Sequence, residues 1–320
     1  MTTAVLVVLA LVVLALAAYA GVRWYRRHGA ALRVRLGLPP AAQFIAPGLP
    51  RPEPRPVVLV HGILGFDKIR LPGLSIDYFR GVARHLDSLG ITAHTVRLPP
   101  LASVPERARV LADFVHSLGT DRVDVIAHSL GGLDARWAIA HLGLAPKVAS
   151  LVTVGTPHRG TPVADLALRG PFDLARKLVS AVGIDTGAID WLTTEALARF
   201  NREVPDQPGV RYASVVAGVR VRGTKMPLAL LALHAYLRKV AGANDGLVPL
   251  DSQVWGEVLG EIEADHWLQV GWSAQSNPGF DARAFYADVI ARLQNLALPP
   301  GPSTTPLLLP APAPSRAAGK

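Results

Sequence analysis

The chain has 320 residues, 50% of them hydrophobic, no cysteine, and a formal net charge of +9 at pH 7. It is long enough for one substantial core with attachments, and it can form neither a disulfide nor a thiolate site. Most of the net positive charge lies outside the middle: residues 22–55 carry seven arginines against Glu53, and residues 300–320 add Arg316 and Lys320. The interior therefore offers no basic footprint for nucleic acid.

Residues 1–22 contain an uncharged run, Ala4–Val22, made almost wholly of Ala, Val and Leu. Nineteen such residues can span a bilayer core. Trp24 and Tyr25 fall at the expected interface, followed by Arg26 and Arg27. The run is expected to be an uncleaved transmembrane anchor, in contact with membrane lipids through its basic flank. A cleaved signal peptide is the alternative, with Ala18-Tyr19-Ala20 as its cleavage triplet, but no basic residue precedes the run. The arginines after it place the remainder of the chain in the cytoplasm; signal cleavage would instead make it periplasmic or secreted. Residues 23–55 read as a basic, proline-containing linker, 56–297 as the main folded domain and 298–320 as a disordered Pro/Ala-rich tail.

Within the central segment the pattern predicts strand 57–60, helix 76–89, strand 91–96, helix 104–118, strand 123–127, helix 131–142 and strand 149–154. After a helical insertion come strands near 211–217 and 258–263 and a closing helix near 281–296. Alternation of this kind implies an α/β fold, a doubly wound parallel sheet covered by helices on both faces.

Four loops carry chemistry. Val57–Val60 runs into His61-Gly62-Ile63, a loop type that supplies one oxyanion-hole N–H, assigned to Ile63. His61 itself reads as a loop-ordering residue. Val123–Ala127 runs into His128-Ser129-Leu130-Gly131-Gly132, a sharp strand-to-helix turn that exposes a nucleophilic serine. The residue two before the serine is Ala127 rather than the usual glycine. The Leu130 N–H is the second oxyanion donor. A base and its orienting acid should follow in the order Ser, Asp, His, and Asp245 in Asn-Asp-Gly and His266 after strand 258–263 meet that order. Asp251 and Asp265 are spare acids, and His158 reads as structural.

These segments resemble α/β-hydrolases of the bacterial true-lipase type found in Pseudomonas and Burkholderia. The resemblance rests on Val-Leu-Val-His-Gly-Ile-Leu-Gly-Phe-Asp (58–67), Ile-Asp-Tyr-Phe (76–79), Ala-His-Ser-Leu-Gly-Gly (127–132), Val-Gly-Thr-Pro-His-Arg-Gly-Thr (154–161), Ala-Leu-Ala-Arg-Phe-Asn (196–201) and Ala-Asn-Asp-Gly-Leu-Val (243–248). It implies the fold, the Ser129–Asp245–His266 triad and a lid helix within 161–192. It would also imply a structural calcium and often a disulfide. Here, however, Leu268 stands where one calcium aspartate would be, and no acid lies between Asp206 and Asp245. Neither metal nor cofactor is therefore expected.

The leading reading is a membrane-anchored serine ester hydrolase, a lipase or esterase acting on acyl-ester or lipid substrates through an acyl-enzyme. An acyltransferase using the same site and a non-catalytic membrane scaffold are the alternatives. Leu174, Leu178, Val179 and Val182 fall at helical spacing in the candidate lid, and Met226–Val240 is a second apolar segment. Both fit either a mobile lid or a core-facing helix.

Overall fold

In the computed structural model, which describes residues 54–296 apart from 64–67, 72–73, 170–186, 220–225, 273–276 and 278, the first strand already sets the architecture. β1 (Val57–Val60) is buried throughout. Val57 and Leu59 enter one apolar cluster, Val58 and Val60 another. A strand covered on both faces reads as a continuous apolar run and belongs inside a parallel sheet.

The chain continues through β2 (Lys68–Leu71), β3 (Leu74–Asp77), α1 (Val82–Ser88), β4 (Ala93–Thr95), α2 (Val104–Ser117), β5 (Val123–His128), α3 (Gly131–His141) and β6 (Val148–Val154). Short helices α4 (Pro162–Ala167) and α5 (Gly187–Asp190) lead to α6 (Thr194–Glu203) and β7 (Arg211–Gly218). Then come α7 (Leu228–Val240), α8 (Leu250–Gln253), β8 (Glu257–Glu263) and α9 (Ala282–Gln294).

Six strands form one parallel sheet in the order β4-β1-β5-β6-β7-β8. On one face α1 and α9 close the core, with Val82 and Leu86 meeting the cluster that holds Phe285, Tyr286 and Ile290. On the other, Ala108, Leu111 and Val115 of α2 and Ala135, Ala138 and Ile139 of α3 pack on Val125, Ala127 and Leu151. α2 starts with a capping box, Ser103 and Glu106 bonding each other's end of the first turn.

One expected element is corrected. The helix read over 76–89 begins only at Val82, after Gly81 takes a left-handed φ of 73°. Ile76 and Asp77 belong instead to β3, which pairs antiparallel with β2. Residues 68–71 and 74–77 flank Pro72-Gly73 with period-two apolar spacing, a hairpin signal that outweighs the helical one. The anchor and linker (1–53), the centre of the lid candidate (170–186) and the tail (297–320) lie outside the described residues.

Candidate active site

The site forms where β1 and β5, paired through Val60 and Ala127, run out at their carboxyl ends. β4 lies on the other side of β1, so strand order reverses here. Such a switch point opens a crevice beyond the strand ends.

Ser129 follows β5 with a φ of 57°, and among the described residues only Asn295 shares that left-handed conformation without being glycine. A non-glycine residue in that region is strained by about 1–3 kcal/mol. Its backbone is held on both sides: the Ser129 N–H donates to the Val154 carbonyl at 2.9 Å, and the Thr156 hydroxyl donates to the Ser129 carbonyl at 2.8 Å. Close packing explains the surrounding glycines. A Cβ on Gly131 would sit 2.7 Å from the Val60 oxygen, and one on Gly62 would sit 2.7 Å from the Ser129 Cβ. Ala127 keeps its methyl in the α2–α3 core, away from the turn.

The three residues expected to act together do meet. His266 Nε2 lies 3.0 Å from Ser129 Oγ, and His266 Nδ1 lies 2.8 Å from Asp245 Oδ2. A carboxylate only accepts, so Nδ1 carries the imidazole proton and Nε2 accepts from the serine hydroxyl. Asp245 Oδ1 accepts from the Leu247 and Val248 N–H groups at 2.9 and 2.8 Å, which fixes the carboxylate in its turn. Ser129 and His266 retain 6% and 5% exposure while Asp245 has none, so access comes from the serine side. Among the described residues no acceptor binds the Ile63 or Leu130 N–H, the two groups expected to hold an oxyanion.

Two of the spare candidates stand elsewhere. Asp251 is exposed on α8. Asp265 is buried and its Oδ1 accepts from the Trp267 and Leu268 N–H groups, both at 2.9 Å, shaping the turn that presents His266. His61 orders its loop: Nε2 accepts from the Leu98 N–H at 3.0 Å and Nδ1 donates to the Gly62 carbonyl at 2.9 Å. His158 stacks on Trp255 and bonds Thr153 Oγ1 at 3.0 Å. Burial, with Arg136 and Arg159 nearby, pushes its pKa well below the usual imidazole value. Leu268 belongs to the α1–α9 core cluster.

Sequence reasoning missed Arg107. It is fully buried on α2 and reaches Asp134 Oδ2 at 2.8 Å, the Pro99 carbonyl at 2.6 Å and the His61 carbonyl at 2.8 Å, pinning the loop before Ile63. Burial pushes the Asp134 carboxyl up to about 7 against the pull of Arg107. The signal was present: Arg107 falls inside the Val104, Ala108, Leu111, Val115 stripe, where a solvated arginine does not belong. Gln269 and the hydroxyl of Tyr78 were also missed, because nothing in their spacing marks them.

Within the segment 226–240, α7 (Leu228–Val240) is a helix with buried and exposed sides. Met226 and Leu230 meet Leu247 and Trp267, which flank the acid and the base. Leu228, Leu231 and Val240 are exposed.

Comparison with known proteins agrees with this fold. A family model described as PGAP1-like alpha/beta domain matches residues 110–205. A triacylglycerol lipase of Vibrio cholerae is 30% identical over 243 residues, covering 64% of this chain and 75% of that protein. Triacylglycerol lipase 2 of Saccharomyces cerevisiae is 29% identical over 273 residues, covering 69% and 82%. The crystal structure of the mature Bacillus licheniformis lipase BlEst2 superposes with a TM-score of 0.61 at 22% identity, over 77% of this chain and 94% of that one.

Proposed function

The chain belongs to the α/β-hydrolase lipase family and is a lipase-like ester hydrolase, and from that premise we propose that it cleaves acyl esters of lipids through an acyl-enzyme on Ser129. The observation behind this reading is the hydrogen-bonded line Ser129–His266–Asp245, at 3.0 and 2.8 Å. His266 Nε2 takes the Ser129 proton as Oγ attacks the ester carbonyl. The Ile63 and Leu130 N–H groups hold the developing oxyanion. The imidazolium, steadied by Asp245, gives its proton to the leaving alcohol oxygen. Water then attacks the acyl-enzyme, its proton passes through His266 to Oγ, and the carboxylic acid leaves.

A lipid substrate is favoured by the exposed Leu228 and Leu231 on a helix whose other side packs beside Trp267. Such a face suits contact with an acyl-chain surface. Purified enzyme should hydrolyse a p-nitrophenyl ester, Ser129→Ala should abolish this, and Asp245→Asn should lower kcat by about 10⁴. Wild-type-like turnover in Ser129→Ala contradicts the mechanism.

We further propose that Ala4–Val22 anchors the enzyme as a single pass, with the hydrolase on the cytoplasmic side. No helix among the described residues is long and apolar enough to cross a membrane, so the reading rests on that run and on the arginines at 23, 26, 27, 33 and 35 that follow it. Basic flanks stay in the cytoplasm and are drawn to anionic lipid. Alkaline phosphatase fused after Leu296 should be inactive in cells; an active fusion overturns the orientation.

A further inference from the structure

We propose that Gln269 is a positioning residue for the catalytic acid, tying Asp245 through His128 and Tyr78 to the oxyanion loop. The inference rests on the triad reading above. It starts from one constraint. Gln269 lies 2.8 Å from Asp245 Oδ2, the same oxygen that accepts the hydrogen bond from His266 Nδ1–H. A carboxylate has only acceptors, so the amide NH₂ of Gln269 must face it.

Every later group then has one orientation. Gln269 Oε1 faces His128 Nε2 at 3.1 Å, so Nε2 carries the imidazole proton. His128 Nδ1 is left as an acceptor and accepts a hydrogen bond from the Tyr78 hydroxyl at 2.8 Å. The Tyr78 oxygen in turn accepts the Gly62 N–H at 3.2 Å, one residue before the Ile63 donor. The line runs unbroken from the acid to the loop, and Gln269 and His128 are both essentially buried.

Two further observations support a built device. Gly155 follows β6 at φ 59°, and a Cβ there would collide with Gln269 Oε1, so the backbone leaves room for this amide. The His128 ring stands 4.6 Å from the His266 ring. Burial and the His266 charge hold its pKa well below the usual value, so it stays neutral and does not oppose the imidazolium formed in the reaction.

The role has a signature beyond stability. A neutral donor on Oδ2 spreads the carboxylate charge; without it Oδ2 attracts the His266 proton more strongly. Gln269→Met keeps the length and removes both hydrogen bonds. It should lower kcat about ten- to a hundredfold, the size of one charge-assisted hydrogen bond, leave KM near wild type, and move the acid limb of kcat/KM to higher pH. Tyr78→Phe removes one oxygen at the far end and should lower kcat also. In a coupled line the double variant loses little more than the worse single one.

A folded Gln269→Met with kcat within twofold of wild type and an unmoved acid limb overturns the proposal. So do independent, fully multiplicative losses in the double variant. If Gln269→Met does not fold, Tyr78→Phe decides alone: unchanged kcat overturns the line, and lowered kcat at unchanged KM and melting temperature supports it. If Ser129→Ala matches wild type in the same assay, the triad reading fails rather than this one.

Discussion

Ser129 is placed by backbone more than by its own side chain. Its left-handed φ is held by Val154, Thr156 and the close approach of Gly62 and Gly131. Sequence alone showed the serine turn, the other loops and their order, because each has short, recognisable neighbours; three of them leave a strand end, while the Asp245 turn lies between α7 and α8. It did not show Gln269 or the Tyr78 hydroxyl, since three segments far apart in the chain must first fold together. Arg107 lies between these cases: its buried helical register was readable, its partners were not. The buried histidines give a pH effect at this scale. His158 stays neutral in the fold, whereas an unfolded histidine takes a proton below about 6.5. The unfolded state then binds more protons, so stability falls as pH drops below about 6.5, by up to about 1.4 kcal/mol per pH unit. Asp134, raised to about 7, acts in the opposite sense between about 4 and 7, but it is common to wild type and variant. His158→Gln should therefore show a shallower fall of melting temperature from pH 6.5 to 5 than wild type; parallel slopes would contradict the argument.

Among the elements, the strands were the most legible. β1 is a continuous apolar run, and β5, β6 and β7 are mostly apolar and buried along most of their length, as a sheet covered on both faces requires. α1 was the least. Ile76-Asp77-Tyr78-Phe79 has helical spacing of apolar groups, yet its first two residues pair with β2 and the helix waits for Gly81. Phe79 is buried against Tyr286 and Tyr78 faces the site, so tertiary contacts take up residues that helix propensity would have used. α7 is more informative than its sequence suggested. It is amphipathic in place, with Leu230, His234 and Leu237 facing inward while Leu228 and Leu231 face out.

For the whole molecule, charge and chemistry separate along the chain. Arginines largely without balancing acids precede the hydrolase, whose own basic residues are nearly matched by acids, and the hydrolase brings Ser129, His266 and Asp245 together at one switch point of the sheet. Family membership was legible because six motifs in the catalytic segment are each tied to a loop or a contact. Asn201, for example, bonds the His158 carbonyl at 2.8 Å and Arg136 at 2.8 Å. The absence of an acid at 268 was legible too, and the structure gives that position to the core. Acyl-chain and head-group preference were not legible, because they depend on surface shape rather than on spacing. The central claim is that Ser129 is the nucleophile of an acyl transfer. The most direct measurement is to label the full chain with a fluorophosphonate and map the adduct by peptide mass spectrometry. A single adduct on Ser129, lost in His266→Ala, is the predicted result; labelling elsewhere, or none on a protein that hydrolyses esters, would contradict it.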